Sequence, residues 1–158
     1  KDFSIDPNRD VNEVCAIILA AEKNAGVILG GGSPKNFYLQ GQPMLWEMYG
    51  IPKGGADFFI QITTDQVVWG GLSGATPAEA VSWGKVNSEG LPHSVVAYCD
   101  STIAFPLLCE YVVASERGRR PRKELFHRLD ELVAELKRRA HAAHFIRQLP
   151  EFQPPSTG

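Results

Sequence analysis

Val27-Ile-Leu-Gly-Gly-Gly-Ser-Pro34 is the stretch that decides the fold. Three consecutive apolar residues, bounded by glycine, predict a short buried strand. The triple glycine lets the backbone turn where side chains would obstruct it. Ser33 and Pro34 then suit the cap and first turn of a helix. A strand feeding a helix through a glycine turn is the building unit of an α/β sheet. The turn also offers an anion site, because backbone N–H groups and the helix dipole favour negative charge. A tight turn that needs glycine for its own sake explains the residues equally well, and the spacing is not Gly-x-Gly-x-x-Gly.

On the N-terminal side, residues 1–9 read as an irregular lead-in, with Asp6-Pro7 as a turn signal. A helix is expected from Asp10, with Glu13 completing a capping box. Val14, Cys15, Ile17, Ile18 and Ala21 recur at helical spacing, and Gly26 is expected to stop the helix. On the C-terminal side, Lys35–Tyr49 reads as a helix interrupted by Gly41 and Pro43. Its aromatic residues line a pocket or pack against a sheet or partner. Asp57–Thr63 is the second strand and Ser94–Cys99 the third. Asp100 follows the third strand, where open α/β sheets place ligand-binding groups, and it also suits the cap of a helix running from Ser101 to about Ser115.

The fold class expected is α/β: a Rossmann-like, doubly wound, mostly parallel sheet with helices on both faces, plus a long C-terminal amphipathic helix. That last helix is placed from about Arg122 to Ile146, after the basic linker Glu116–Pro121. Leu125, Leu129, Leu132, Val133 and Leu136 share one face, which needs the sheet or another subunit to cover it. The chain divides into a lead-in (1–9), a body (10–116), a basic amphipathic helix (117–149) and a Pro-rich tail expected to be disordered (150–158). Three strands are few for a complete doubly wound sheet, and the chain begins at Lys1 rather than Met. The few strands suggest a companion N-terminal half that is missing or lies on another chain, and the start at Lys1 suggests a fragment or a processed or trimmed chain.

The 158 residues carry a net charge of −2, unevenly spread. Residues 1–116 hold 6 Lys or Arg against 13 Asp or Glu, while residues 117–147 hold 10 against 4. The acidic body would attract a polycation such as a polyamine, although carboxylates kept for solubility explain it as well. The basic segment lacks interleaved aromatics, so no nucleic-acid partner is expected. No apolar run is long enough to span a bilayer and the first residues lack a signal-peptide pattern, so no membrane partner is expected. Cys15, Cys99 and Cys109 have no metal-like spacing and read as buried thiols of a reducing, cytoplasmic compartment; no metal is expected.

The candidate chemistry lies in Ser73-Gly-Ala-Thr-Pro-Ala-Glu-Ala-Val-Ser-Trp-Gly-Lys85. Thr76, Pro77 and Glu79 form a capping box with proline in the first helical position, and the helix is expected to carry Trp83 and Lys85. A lysine beside a tryptophan, with a carboxylate nearby, can bind a cationic amine or form an imine. The same residues also read as a cap, a core aromatic and a solvated helix end.

Glu79-Ala-Val-Ser-Trp-Gly-Lys85 resembles the active-site lysine motif of deoxyhypusine synthases. Val27–Gly32, Gly55-Ala-Asp57, Tyr98-Cys-Asp100 and Phe105-Pro-Leu-Leu108 agree in the same order, from about Asp10 to about Val113. The resemblance covers the C-terminal half of such an enzyme and makes the body half of an NAD-binding domain. It implies NAD as cofactor and transfer of an aminobutyl group from a polyamine such as spermidine to an acceptor amine or protein lysine, through an imine on Lys85. It further implies substrate contacts at Trp83, Glu79 and Asn36, and NAD contacts at Gly30, Gly31, Gly32, Thr64, Ser73, Asp100 and Ser101. Family members are tetramers with active sites between subunits, so a homo-oligomer, or pairing with a companion N-terminal half, is expected. Imine formation requires a neutral amine, and packing against Trp83 is the expected means of desolvation.

This sequence departs from the family where Asn36 and Phe37 replace a pair of histidines and where Leu72 and Trp69 replace acidic residues. Asn36 cannot take up a proton as imidazole does. The alternatives implied are a homospermidine synthase-like transferase with a small amine acceptor, or a non-catalytic, NAD-binding regulatory subunit. His93, His127, His141 and His144 lie outside the motifs and read as surface or structural.

Overall fold

The structure is a computed structural model that describes residues 4–115 and 124–143. Helix α1 spans Pro7–Ala20. Asp6 caps it by accepting the N–H groups of Asn8 and Arg9, so Asp6-Pro7 is a helix start, with proline in the first turn, rather than part of an irregular lead-in. The helix ends at Ala20, well before Gly26, which lies inside strand β1, Ala25–Leu29.

Helix α2 spans Ser33–Pro43 and continues as a π-helical turn over Met44–Met48. Pro43 has no N–H to give, and the ladder widens just after it rather than breaking. Gly41 does not interrupt the helix; it lets α1 approach, since a Cβ there would stand 2.6 Å from Ile18 Cδ1. Strand β2 is Phe58–Thr63, helix α3 Pro77–Ser82, strand β3 Ser94–Tyr98, and helix α4 Ser101–Ala114. After a 3₁₀ turn at Leu125–Arg128, helix α5 runs over Leu129–Ala142. The expected linker 116–121 and tail 150–158 lie outside the described residues, and so do the ends of the helix expected over 122–146.

The three strands form one parallel sheet in the order β1-β2-β3, with Val27 beside Ile60 and Ile60 beside Val95. This sequential order contains no reversal among the described strands, so the doubly wound arrangement is not formed by these residues. One face packs its core, Phe59 with Leu39, Ala56 and Val86, against α2 and α3. The row on the opposite face leaves Val27 and Val95 each 54% exposed. That face is less covered than helices on both sides would make it.

A second core joins α1, the π turn and α5 through Cys15, Ile18, Leu45, Leu132 and Leu136. The apolar face of α5 therefore meets α1 rather than the sheet. Of the cysteines, only Cys15 is buried; Cys99 is half-buried and Cys109, on α4, is exposed. Burial pushes the Cys15 thiol up to about 11. Among the described residues, no helix is long and apolar enough to cross a membrane and no cluster suited to a metal occurs.

Candidate active site

Parallel strands put all their carboxyl ends on one edge, and the candidate residues gather there. Gly30, Gly31 and Gly32 follow β1 with φ of 78°, 152° and 80°, values that residues with a Cβ rarely adopt. At Gly31 a Cβ would stand 2.7 Å from the Ser73 Cα, so glycine also lets the two loops touch. Gly30 and Gly32 face open space, and the N-terminus of α2 has no side-chain cap. Thr64 follows β2. Asp100 follows β3 and caps α4, accepting from the Thr102 N–H at 2.8 Å and its hydroxyl at 2.7 Å. These bonds hold the Asp100 carboxyl below its ordinary range. The cap reading of Asp100 is thereby met, and Ser101 opens the helix.

Lys85 is not on a helix. Helix α3 ends at Ser82, Trp83 is its C-cap, and Gly84 takes the left-handed conformation at φ 66°. The Gly84 N–H bonds to the Val81 carbonyl at 3.0 Å and the Lys85 N–H to the Ala80 carbonyl at 2.9 Å, a Schellman ending. The Lys85 carbonyl accepts the Ala56 N–H at 3.0 Å, and Ala56 bridges Val86 in parallel fashion. Gly55 packs against the Val86 backbone, where a Cβ would stand 2.4 Å away. Gly55-Ala-Asp57 thus fixes the main chain of Lys85. Asp57 itself accepts the Asn24 N–H at 2.9 Å and ties the entry of β1 to that of β2.

The Lys85 ammonium reaches across to α2 and donates to Asn36 Oδ1 at 2.9 Å. Around it is a cavity of about 180 Å³, with Glu79, Trp83, Asn36, Leu72 and Lys35 in its walls. Thr76 caps α3 by accepting the Glu79 N–H at 3.2 Å, which leaves the Glu79 carboxylate for the cavity. Trp83 is 65% exposed, so it lines the cavity without burying Lys85. Leu72 is half exposed at the rim, and Trp69, 73% exposed, stands on a separate 3₁₀ turn.

Sequence reasoning missed Lys35. It is 5% exposed, and its ammonium donates to Gln61 Oε1 at 3.0 Å, the Ala75 carbonyl at 2.7 Å and the Ser73 carbonyl at 3.4 Å. Gln61, wholly buried in β2, donates to the carbonyls of Gly30 and Ser73, each at 2.7 Å. The pair laces the glycine turn, β2 and the loop before α3 together. Ser73 sits in this lacing, its hydroxyl donating to Asp65. Burial lowers the pKa of Lys35, with Glu79 and Asp65 opposing and Lys85 adding to the effect. The signal was available: Lys35 is the one charged residue between Lys23 and Glu47. Of the histidines, His93 stacks at a tilt on Phe58, 5.6 Å between ring centres, His127 and His141 lie on the surface away from the cavity, and His144 is outside the described residues.

The fold and site define an α/β protein with an amine-bearing cavity and a glycine turn on one edge of a parallel sheet. A family model described as deoxyhypusine synthase matches residues 1–112. The chain is 52% identical over 137 residues to a deoxyhypusine synthase-like protein of Nostoc sp. strain PCC 7120, covering 84% of this chain and 36% of the relative. It is 47% identical over 163 residues to a protein of the same description in Thermosynechococcus vestitus, covering 97% and 40%. It is 40% identical over 121 residues to a probable deoxyhypusine synthase 2 of Archaeoglobus fulgidus, covering 77% and 40%. The chain belongs to the deoxyhypusine synthase family, and it spans little more than a third of the length of these relatives.

Proposed function

We propose that the protein is a transferase that passes an aminobutyl or related aminoalkyl group from a polyamine such as spermidine to an acceptor amine, through an imine on Lys85. The observation that carries this reading is the convergence of Lys85, Trp83 and Glu79 on one cavity. Lys85 supplies the nucleophilic nitrogen once neutral. Trp83 offers a π face to a cation and Glu79 a carboxylate to an ammonium end. Asn36 Oδ1 orients the lysine and, having no proton to exchange, leaves proton transfer to other groups.

NAD is the proposed cofactor; when bound it would take hydride from the donor amine and return it to the final imine, so that the transfer is redox-neutral and the remaining diamine of the polyamine is the leaving group. Support comes from the open glycine turn at an uncapped helix N-terminus, which fits an anionic phosphate. Thr64, Ser73, Asp100 and Ser101 would complete its seat. The three strands would form part of a larger doubly wound sheet, residues 10–116 would be the C-terminal half of an NAD-binding unit, and 117–149 an appended basic helix. The other half is proposed to correspond to the remaining length of the relatives, in a cytoplasmic homotetramer with sites between subunits or in a pairing with a separate companion chain.

A second reading is favoured by Asn36, Leu72 and Trp69: a homospermidine synthase-like enzyme with a small amine acceptor, or a regulatory subunit without catalysis. Trapping separates the catalytic readings from the regulatory one. The whole protein is incubated with NAD and a polyamine panel, reduced with borohydride, and mapped by peptide mass spectrometry. An NAD-dependent adduct is expected on Lys85 and none in Lys85→Ala, which should fold normally. A clean Lys85 peptide from protein shown to bind NAD would favour the regulatory reading.

A further inference from the structure

A second cavity, of about 240 Å³, lies on the other side of Asn36 and Leu72, which line both. Val11 and Val14 of α1, Phe37 of α2 and Met44 of the π turn make its walls. None of the side chains lining it is titratable. Close approach of α1 and α2 at Gly41 closes its floor. Leu72 is 51% exposed and Phe37 42% exposed, so both stand at the rim. The cavity is therefore a mostly apolar, uncharged space, with Ser33 and Gln40 as its other polar side chains, one residue away from the Lys85 ammonium, which is fixed at their common wall by its bond to Asn36.

We infer that this cavity is a subsite for the uncharged hydrocarbon body of a monoamine, whose single amino group is presented to Lys85 past Asn36 and Leu72. The inference deepens the amine-transferase reading and rests on it for the role of Lys85. A pocket of apolar walls with a few placed polar groups binds through area buried, and the polar groups set orientation. A diamine of equal length would carry its second ammonium into a space with no carboxylate, which is costly unless that charge is lost. Selectivity between the two follows from that penalty as much as from the apolar contact.

The test uses the whole protein without NAD, so that no turnover is involved. Affinities of n-butylamine, n-hexylamine and 1,6-diaminohexane are measured by calorimetry, and intermolecular NMR contacts are recorded. Affinity should rise about threefold to fourfold for each added methylene. Hexylamine should bind at least about tenfold more tightly than the diamine. Its methylenes should contact the Val14 and Met44 methyl groups. Leu72→Asp should narrow or invert the preference, and Phe37→Asp, at another exposed rim position, should act in the same direction. Equal affinities, contacts confined to Trp83, a preference unmoved by both variants, or no binding of either amine would each overturn the inference. A Lys85 adduct together with equal affinities would sink the subsite and leave the transferase reading standing. Selective binding without any adduct would do the reverse.

Discussion

At the scale of single residues, two lysines of one cavity have different tasks. Lys85 presents its nitrogen at the wall, held by one amide oxygen. Lys35 is enclosed by three oxygens and acts as a strut. Replacing it by methionine leaves Gln61 Oε1 and two carbonyls short of a donor, and unmet buried acceptors cost about 1–3 kcal/mol each at most. Lys35→Met should therefore lower stability at neutral pH and speed hydrogen exchange through the loop 64–75. The pH dependence has a definite sign. The folded pKa of Lys35 lies below its ordinary value of 10.5, so between the two the unfolded chain holds one proton more. Stability gained from this group rises with pH across that window and is constant below it. Denaturation midpoints followed from pH 7 to 10.5 should show the parent gaining on Lys35→Met as pH rises; a constant difference would contradict the burial of the charge. Cys15 gives a second check. Its thiol is raised to about 11 and fully buried, so it should resist alkylation at pH 8 while exposed Cys109 reacts.

At the scale of elements, the position of Lys85 depends on how a short helix ends. Gly84 must be left-handed for the Schellman bonds to form, and a Cβ there would stand 3.1 Å from Trp46 Nε1. Gly84→Ala should cost about 1–2 kcal/mol, the usual strain of that conformation, and displace the Lys85 ammonium from Asn36. Thermal melting and the rate of Lys85 acylation would register both effects; an unchanged acylation rate would mean that Ala56 alone positions the residue. Much of this was legible in the sequence. Val27–Gly32 gave a strand and its turn, Thr76-Pro77 gave a helix start, and Asp100 a cap, because short-range chemistry dictates each. The end of α3 was not, because Trp83-Gly84-Lys85 continues a helical pattern unless glycine at C′ is weighed against it. The start of α1 was lost in the same way, by taking Asp6-Pro7 as a turn when it is a cap followed by proline. Lys35 was missed for a different reason: its partners Gln61, Ser73 and Ala75 lie 26 to 40 residues away, and no local pattern reports them.

At the scale of the molecule, the two cores are unequally finished. The helical core is closed: Leu136, 2% exposed, fills the contact of α5 with α1, and Leu136→Ala should cost about 2–5 kcal/mol. The sheet is not closed. Val27 and Val95 remain exposed across one face, and β1 and β3 each keep an unpaired edge among the described residues. Helix α4 buries none of its side chains, with Leu107 and Val113 about 70% exposed. Surface of this kind is rare on a protein that works alone, and these relatives are more than twice as long as the stretch they share with this chain. The proposed companion half would cover it. The 158 residues by themselves should therefore self-associate and bind a hydrophobic dye, seen as a concentration-dependent mass in sedimentation. Val27→Lys with Val95→Lys should reduce both signals. Since both positions are exposed, the melting temperature should hardly move, surface changes costing within about 0.5 kcal/mol. If the parent chain were monomeric and silent to the dye, its open sheet face would be a finished surface, and the companion half would have to dock elsewhere.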